Sequence, residues 1–453
     1  MNPPNFFLAD LPPEAALHPG MITEGCRTLK RNRERYLAGR TTASLINLLA
    51  GLGKSWLEPA YPFRKMVLER GPQATGFSAA TLARGLDSFF AQLTRENLSA
   101  LLEQDLGSAG RLDEISASEI EARSDRAAIA TAPELVAHIG AGNLPIPALH
   151  SLVLGVLARS AQFLKCASGA SLVPRLFAHS LYEADSKLGA CIEVAEWRGG
   201  HGPLEEALFA EADCVTATGG DEALAAIRHR LPARTRFLGY GARVSFAFIT
   251  GRILTGLNAR KVVARAAADV VAWNQLGCLS PHVIYVEQGG ETTPEQFAEL
   301  LAGELAAREQ SEPRGDLPVE AAAAIASRRS MYEVRAAHSP ETRHWCSRDS
   351  TAWTVVYDSD PQFQLSCLHR FIYVKGVKDT EEMLRGADSV RDQVSAVGLA
   401  ATEDKAQELA TSLARWGATR VCPLGRMQNP PLLWRHDGRP ALADLVRWTD
   451  WEQ

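Results

Sequence analysis

No apolar run in these 453 residues is long enough to cross a bilayer: the longest, Ile146 to Ala158, falls short of the roughly 20 residues a span needs and contains His150 and Ser151. Residues Met1 to Leu17 hold no basic segment followed by an apolar core, so no secretory signal is visible. A sustained basic patch is missing too; 48 Lys and Arg stand against 53 Asp and Glu, a net charge of −5, which gives no reason to expect nucleic acid as a partner. The eight cysteines, at 26, 166, 191, 214, 278, 346, 367 and 422, include no Cys-x-x-Cys pair. That excludes the usual zinc spacings and fits a reduced, cytoplasmic protein with free thiols and no metal. The chain has no internal repeat and no low-complexity tract. What remains is a globular composition, 46% hydrophobic and 22% charged, in a chain too long for one ordinary core, so two or three domains are expected.

Residues 1–120 read as mostly helical. Thr94 is a candidate N-cap for a helix that carries Leu98, Leu101 and Leu102 and stops at Gly107. The Pro-rich start (Pro3, Pro4, Pro12, Pro13) reads as a loosely packed arm. From residue 134 the rhythm changes to strand and helix in alternation: strands over 135–139, 161–165, 191–197, 214–217 and 236–239, with helices over 147–158, 172–187, 204–212 and 221–230. Such alternation implies right-handed crossovers and a parallel sheet covered on both faces. A second unit follows, with a helix over 260–274, a strand at 282–286, helices at 294–308 and 319–337, and strands at 353–357 and 371–377. The tail, Leu432 to Pro440, reads as an extended segment turning at Asp437-Gly438.

Four stretches can carry chemistry. Cys278 lies in Trp273-Asn274-Gln275-Leu276-Gly277-Cys278-Leu279-Ser280-Pro281, between a helix and a strand, where a thiol can face a ligand; a small buried hydrophobe is the other reading. Gly140-Ala141-Gly142-Asn143-Leu144-Pro145 joins the first strand to its helix without the third glycine of GxGxxG. It offers the Asn143 carboxamide at the carboxyl end of a parallel strand, as an oxyanion donor or simply as a turn former. Thr216-Ala217-Thr218-Gly219-Gly220-Asp221 ends a strand and opens a helix, which suits a pyrophosphate and equally suits plain capping. Lys165-Cys166-Ala167-Ser168 closes another strand at the same edge, where a lysine can meet a ribose or its 2′-phosphate.

In this order the four pieces resemble the aldehyde dehydrogenase superfamily. Within it they are most similar to the acyl-thioester-reducing branch, the LuxC-like fatty acyl reductases of bacterial bioluminescence. The resemblance, over residues 130–453, implies an oxyanion role for Asn143, ribose contacts from Lys165 to Ser168, a pyrophosphate turn at Thr218-Gly219-Gly220, and a nucleophile in the loop Gln275 to Cys278. Asn274 to Pro281, and the tail Trp434-Arg435-His436-Asp437-Gly438 followed by Leu445-Val446-Arg447-Trp448, carry the likeness to the LuxC branch. Two departures matter. Where acid-forming members have Glu-Leu-Gly-Gly, this chain has Gly239-Tyr240-Gly241-Ala242, and from Phe237 to Gly251 the only charge is Arg243. Without a carboxylate to deprotonate water, an acyl-enzyme should last long enough to accept hydride or exchange with another thiol. Ser168 replaces the ribose-binding Glu, which removes repulsion against a 2′-phosphate and makes NADPH the expected cofactor, with NADH as the alternative.

The expected fold is therefore α/β and aldehyde dehydrogenase-like: a helical part over 1–120 packed on a Rossmann-type parallel-sheet domain at 121–250, an α/β catalytic domain at 251–424, and a small oligomerisation segment at 425–453. The expected sites are Cys278 and Asn143 for catalysis, and Lys165, Ser168, Thr218, Gly219, Gly220 and Gly241 for the cofactor. The expected activity is NADPH-dependent reduction of an acyl thioester to the aldehyde. The donor would be acyl-CoA or an acyl carrier protein, in a homo-oligomer, with an acyl-activating enzyme as a further partner. An NAD(P)-dependent aldehyde dehydrogenase, an acyl-phosphate reductase and a non-catalytic acyl-holding subunit are the other readings. The His436-Asp437 pair reads as a hairpin turn or, alternatively, a proton relay.

Overall fold

Local signals set many of the element boundaries. The Thr94 side chain accepts from the Asn97 amide, Gly107 takes the left-handed conformation, and the helix between them is Arg95–Leu106. The computed structural model describes residues 4–12 and 14–452; of the Pro-rich start, Pro3 and Pro13 lie outside the described residues. The adjoining stretch is docked, in contrast to the loose arm expected. Phe7 is buried, its ring meets that of His179 edge-on at 4.8 Å, and the Leu8 amide donates to Glu193 Oε1 at 2.7 Å. Aromatic burial outweighs the proline-rich composition there.

The chain divides into two compact units, the first running through Thr75, then Leu86–Gly241 and from Pro431 onward, the second Gly76–Gly85 with Ala242–Pro430. The first holds a five-stranded parallel sheet in the spatial order Ile192–Glu196, Ala161–Cys166, Leu135–Ile139, Cys214–Thr218, Arg236–Tyr240. All five strands were legible from the alternation. On one face the helices Pro19–Tyr36 and Gly202–Glu211 bury Ile22, Cys26, Leu29, Leu204 and Leu208 against Leu135, Ala137 and Phe163. Since side chains alternate along a strand, Val136 and His138 point to the other face. There the helix Ile146–Leu157 lies over the sheet, and a Cβ on its Gly155 would overlap the Gln162 side chain.

The second unit has seven strands in the order Val421–Pro423, Val394–Ala400, Val244–Ile249, Pro281–Glu287, Phe371–Val377, Thr354–Asp358, Thr342–Cys346. All pairs are parallel except the last, which is antiparallel. Helices Gly256–Val271 and Pro294–Ser311 cover one face, Val319–His338 and Glu403–Trp416 the other. An antiparallel ribbon, Arg126–Thr131 with Arg447–Glu452, completes the first unit and has no expected counterpart. The turn at Asp437-Gly438 is a short 3-10 turn, His436–Gly438, rather than a hairpin; Asp437 takes φ +52° and the next strand starts only at Arg447. Among the described residues no helix is long and apolar enough to cross a membrane.

The central strand of the five carries a buried histidine. His138 is 2% exposed, with Nδ1 2.7 Å from the Thr216 hydroxyl and Nε2 3.1 Å from Gln162 Oε1. Gln162 Nε2 donates to the Leu152 carbonyl, so its Oε1 must accept, and Nε2 of the imidazole carries the proton. Burial pulls the His138 imidazole down to about 4. An unfolded histidine titrates near 6.5, so between those values the unfolded chain takes up a proton that the folded chain refuses. The stability contributed is full above the unfolded value and is lost as pH falls through the window, by about 3 kcal/mol near pH 4 for this residue. Urea unfolding at neutral pH and at about pH 4.5 should show the loss, and His138→Gln should shrink the difference; an undiminished difference would take His138 out of the account.

Candidate active site

In a parallel sheet joined by helices, every strand-to-helix loop leaves from the same edge, where ligands of open sheets sit. Seven of the eight expected site residues fall there, all in the first unit. Asn143 is exposed in the bend between strand Leu135–Ile139 and helix Ile146–Leu157. Its loop touches the next one: the Gly140 amide donates to the Lys165 carbonyl at 2.9 Å, and a Cβ on Gly142 would sit 3.1 Å from Ala167. Thr218, Gly219 and Gly220 end the strand Cys214–Thr218 and open the helix Asp221–Arg230, whose N-cap, Gly220, supplies no side-chain cap. The Gly219 amide donates to the Tyr240 carbonyl at 3.1 Å, and a Cβ on Gly241 would crowd the Asp221 carboxylate. The structure thus gathers the residues into two neighbouring loop pairs, one around Asn143 and Lys165 to Ser168, the other around Thr218 to Gly220 and Gly241.

Lys165 bears most directly on a cofactor. Its side chain is 3% exposed, and its ammonium lies 5.9 Å from the centroid of the Trp197 ring. Burial lowers its pKa, against the opposing pull of Glu205. Among the described residues that ammonium makes no hydrogen bond, but it is not sealed from solvent, so water supplies its acceptors in the free protein. A ribose hydroxyl or phosphate oxygen would supply them in a complex, so the edge fits a nicotinamide dinucleotide. Glu196 is close by, accepting from the Gly169 amide at 2.7 Å, one residue after Ser168.

Cys278 belongs to the second unit, on the loop that enters strand Pro281–Glu287. The loop is pinned on every side. Ser245 Oγ donates to the Cys278 carbonyl at 2.7 Å and itself accepts from the Ala396 amide. The Gln428 amide donates to Ser280 Oγ, and it crowds Gly277 so closely that any Cβ there would overlap it. Asp269, whose carboxyl burial pushes up to about 7, accepts from the amides of Gly425 and Met427 and so holds the segment that carries Gln428. Upstream, Trp273, Asn274 and Gln275 take φ of +50°, +51° and +61°, a conformation costing roughly 1 kcal/mol or more for each non-glycine residue. Trp273 packs against Gly85, where a side chain would overlap its ring, and Phe77 meets the ring edge-on at 5.2 Å.

Sequence reasoning missed Ser245, Gln428 and Gly85, all far from Cys278 in the chain, and Asp269, nine residues before it. It also missed Asp221 as the carboxylate beside Gly241. Two clues were available for the rest of the loop: the Asn-Gln pair just before Cys278, since Asn tolerates left-handed backbone, and Gly277 between bulky neighbours. His436 stacks on Tyr240 at 4.4 Å, and the Arg439 guanidinium lies over the Tyr240 ring at 4.7 Å, so the tail turn packs against the last strand of the five. Among the described residues no cluster of His, Cys, Asp or Glu suits a metal ion.

The thiols sort by environment. Cys26, Cys166, Cys191 and Cys214 are buried, and burial pushes each up to about 12, with Cys422 up to about 11. Cys278, Cys346 and Cys367 are partly exposed. Brief iodoacetamide treatment of the native protein, read by peptide mass mapping, should therefore modify those three and spare the five; rapid native modification of any of the five would contradict this sorting.

A family model, acyl-CoA reductase (LuxC), matches residues 37–448. The chain is 24% identical over 423 residues to a long-chain acyl-protein thioester reductase of Aliivibrio fischeri, covering 90% of this chain and 82% of that one. It is 22% identical over 421 residues to long-chain acyl-protein thioester reductase 2 of Photobacterium leiognathi, with 91% and 83% covered. Among solved structures it is similar to a putative aldehyde dehydrogenase PutA from Anabaena variabilis, with a TM-score of 0.70 at 16% identity over 96% of this chain and 93% of that one. It is also similar to the glyceraldehyde-3-phosphate dehydrogenase GapN from Methanocaldococcus jannaschii complexed with NADP, with a TM-score of 0.66 at 15% identity over 96% and 95%. The fold is that of the aldehyde dehydrogenases, and the chain belongs to the LuxC family of acyl-CoA reductases.

Proposed function

We propose that this protein reduces an acyl thioester to the aldehyde through a covalent acyl-cysteine at Cys278, with NADPH as the reductant. The observation that carries the reading is Cys278 itself: a partly exposed thiol on a loop pinned on all sides, in a chain whose relatives are named acyl-protein thioester reductases. In the first step the Cys278 thiolate attacks the acyl carbonyl and the Asn143 amide donates to the oxyanion. The tetrahedral adduct collapses by expelling the donor's own thiolate. A thiol with a pKa near 8.5 departs without a strong acid to protonate it.

A nicotinamide cofactor would supply hydride for reduction of the enzyme thioester. Lys165 would hold a ribose or phosphate oxygen, and the backbone of Thr218 to Gly220 would cradle the pyrophosphate. Cys278 then leaves as thiolate from the thiohemiacetal, freeing the aldehyde and regenerating the nucleophile. NADPH rather than NADH follows from Ser168 standing where a ribose-binding carboxylate would repel a 2′-phosphate, and Glu196 nearby is the group that would oppose it. Acyl-CoA or a carrier-bound acyl group is the donor class, and a homo-oligomer fed by an acyl-activating enzyme is the setting we infer.

One observation favours a second reading. The Asp221 carboxylate beside Gly241 stands next to the stretch where acid-forming dehydrogenases carry their water-activating glutamate. Product analysis separates the two: aldehyde from thioester supports the reductase, acid from aldehyde the dehydrogenase.

Oxidation of NADPH, followed by absorbance with acyl-CoAs of increasing chain length, should depend on thioester and vanish in Cys278→Ala while NADPH still binds. Substantial turnover in Cys278→Ala would sink the mechanism. Asn143→Ala should lower kcat about 100- to 1,000-fold with little change in melting temperature. Wild-type kinetics in that variant would show the oxyanion donor to be elsewhere.

A further inference from the structure

A second run of strained backbone lies against the first. Leu368, His369 and Arg370 take φ of +60°, +54° and +67°, as unfavourable for their residue types as the run Trp273 to Gln275. The two runs are tied together. The His369 amide donates to the Asn274 carbonyl at 2.8 Å, and Gln275 Nε2 donates to the carbonyls of Phe371 at 3.1 Å and Pro281 at 2.9 Å. Arg370 Nε donates to Asn274 Oδ1 at 3.1 Å, while Asn274 Nδ2 donates to the Arg314 carbonyl at 2.8 Å. Arg370 is 1% exposed, and its Nη1 donates to Glu309 Oε2 at 2.7 Å, from the helix Pro294–Ser311. Glu309 Oε1 in turn accepts from the Arg314 amide at 3.1 Å.

These bonds form a closed circuit, Glu309 to Arg370 to Asn274 to the Arg314 segment and back to Glu309, within one unit of the protein. It meets the thiol loop at Asn274-Gln275, which ends three residues before Cys278. Six left-handed non-glycine residues in two facing turns persist only where their surroundings over-determine them. A buried arginine carboxylate pair is also a poor way to gain stability alone, since apolar side chains of the same volume usually serve as well.

We propose that Arg370, held by Glu309, is a positioning residue for Cys278: by fixing Asn274 and Gln275 in the left-handed region it sets where the thiol points. The proposal rests on Cys278 being the acyl-accepting thiol. Arg370 touches no substrate in this role; it acts through Asn274.

The test compares Arg370→Met, Arg370→Lys, Asn274→Gly and Asn274→Ala in the full chain, with acyl-CoA and NADPH, alongside the rate of iodoacetamide modification at Cys278 read by peptide mass. Glycine at 274 keeps the left-handed backbone accessible while removing the link to Arg370, so it separates the side chain's role from the backbone's. We expect Arg370→Met and Asn274→Gly to lower kcat about 100-fold, as a misplacement of about 1 Å does, with KM within about three-fold and NADPH binding by fluorescence quenching unchanged. Arg370→Lys should recover only part of the loss, because an ammonium lacks the guanidinium fork. The alkylation rate at Cys278 should change in step with kcat. Wild-type kcat and alkylation in Asn274→Gly would overturn the proposal even if the Arg370 variants fail to fold. A fall in melting temperature with kcat and alkylation rate unchanged would do the same, leaving the circuit a matter of stability alone. Failure of the underlying reading shows up separately, as turnover surviving in Cys278→Ala.

Discussion

Parallel strands joined by right-handed crossovers deliver all their strand-to-helix loops to one edge, and the rest of the first unit depends on that constraint. Its five strands end side by side, so Asn143, Lys165, Ser168, Thr218, Gly219, Gly220 and Gly241, spread over about a hundred residues, come to neighbouring positions through the strand pairing alone. The small residues in these loops are needed because loop meets loop: Gly142 faces Ala167 and Gly241 faces Asp221. A Cβ at Gly142 would press on Ala167 by a few tenths of an ångström, and one at Gly241 would push the Asp221 carboxylate aside.

Buried polar groups divide into the satisfied and the waiting. His138 is satisfied on both nitrogens, and its neutral form is part of the fold. Asp269 is satisfied by two amides and serves the segment that ends at Gln428. Lys165 is different: almost as buried, beside an indole ring and without a hydrogen-bond partner among the described residues. Its ammonium keeps contact with solvent, so of the three it is the one that can take a ligand oxygen as a partner.

The same contrast separates the cysteines. Five are buried among apolar neighbours that hold their thiols protonated, whereas Cys278 stands on a loop whose carbonyl, flanking serine and preceding glycine each have a dedicated partner. The ties act on the backbone around the thiol, by hydrogen bonds to carbonyls and by glycine positions that admit no Cβ. Rigidity of that kind suits a nucleophile that must meet a carbonyl at one angle.

Periodicity and turn chemistry were enough to read the strand-helix alternation of the first sheet, the helix from Thr94 to Gly107 and the α/β class, because each depends on residues close in the chain. Family likeness was legible in short motifs for the same reason: loops such as Gly140 to Pro145 and Gln275 to Cys278 carry their pattern locally. The strands Arg126–Thr131, Val394–Ala400 and Arg447–Glu452 escaped, since their pairing partners lie hundreds of residues away or their composition is neutral. The docking of Phe7 on His179 escaped for the same reason. So did the supports of the nucleophile loop. Ser245, Gln428, Glu309 and Arg370 mean nothing as isolated letters, and they acquire a role only when a seven-stranded sheet brings four distant segments against one loop. The sequence by itself determined the alternating strands and helices of the first sheet and the place of Cys278 on a helix-to-strand loop. Tertiary structure alone decided how that loop is held, because hydrogen bonds to a backbone carbonyl can come from any residue with a donor and leave no pattern in the chain.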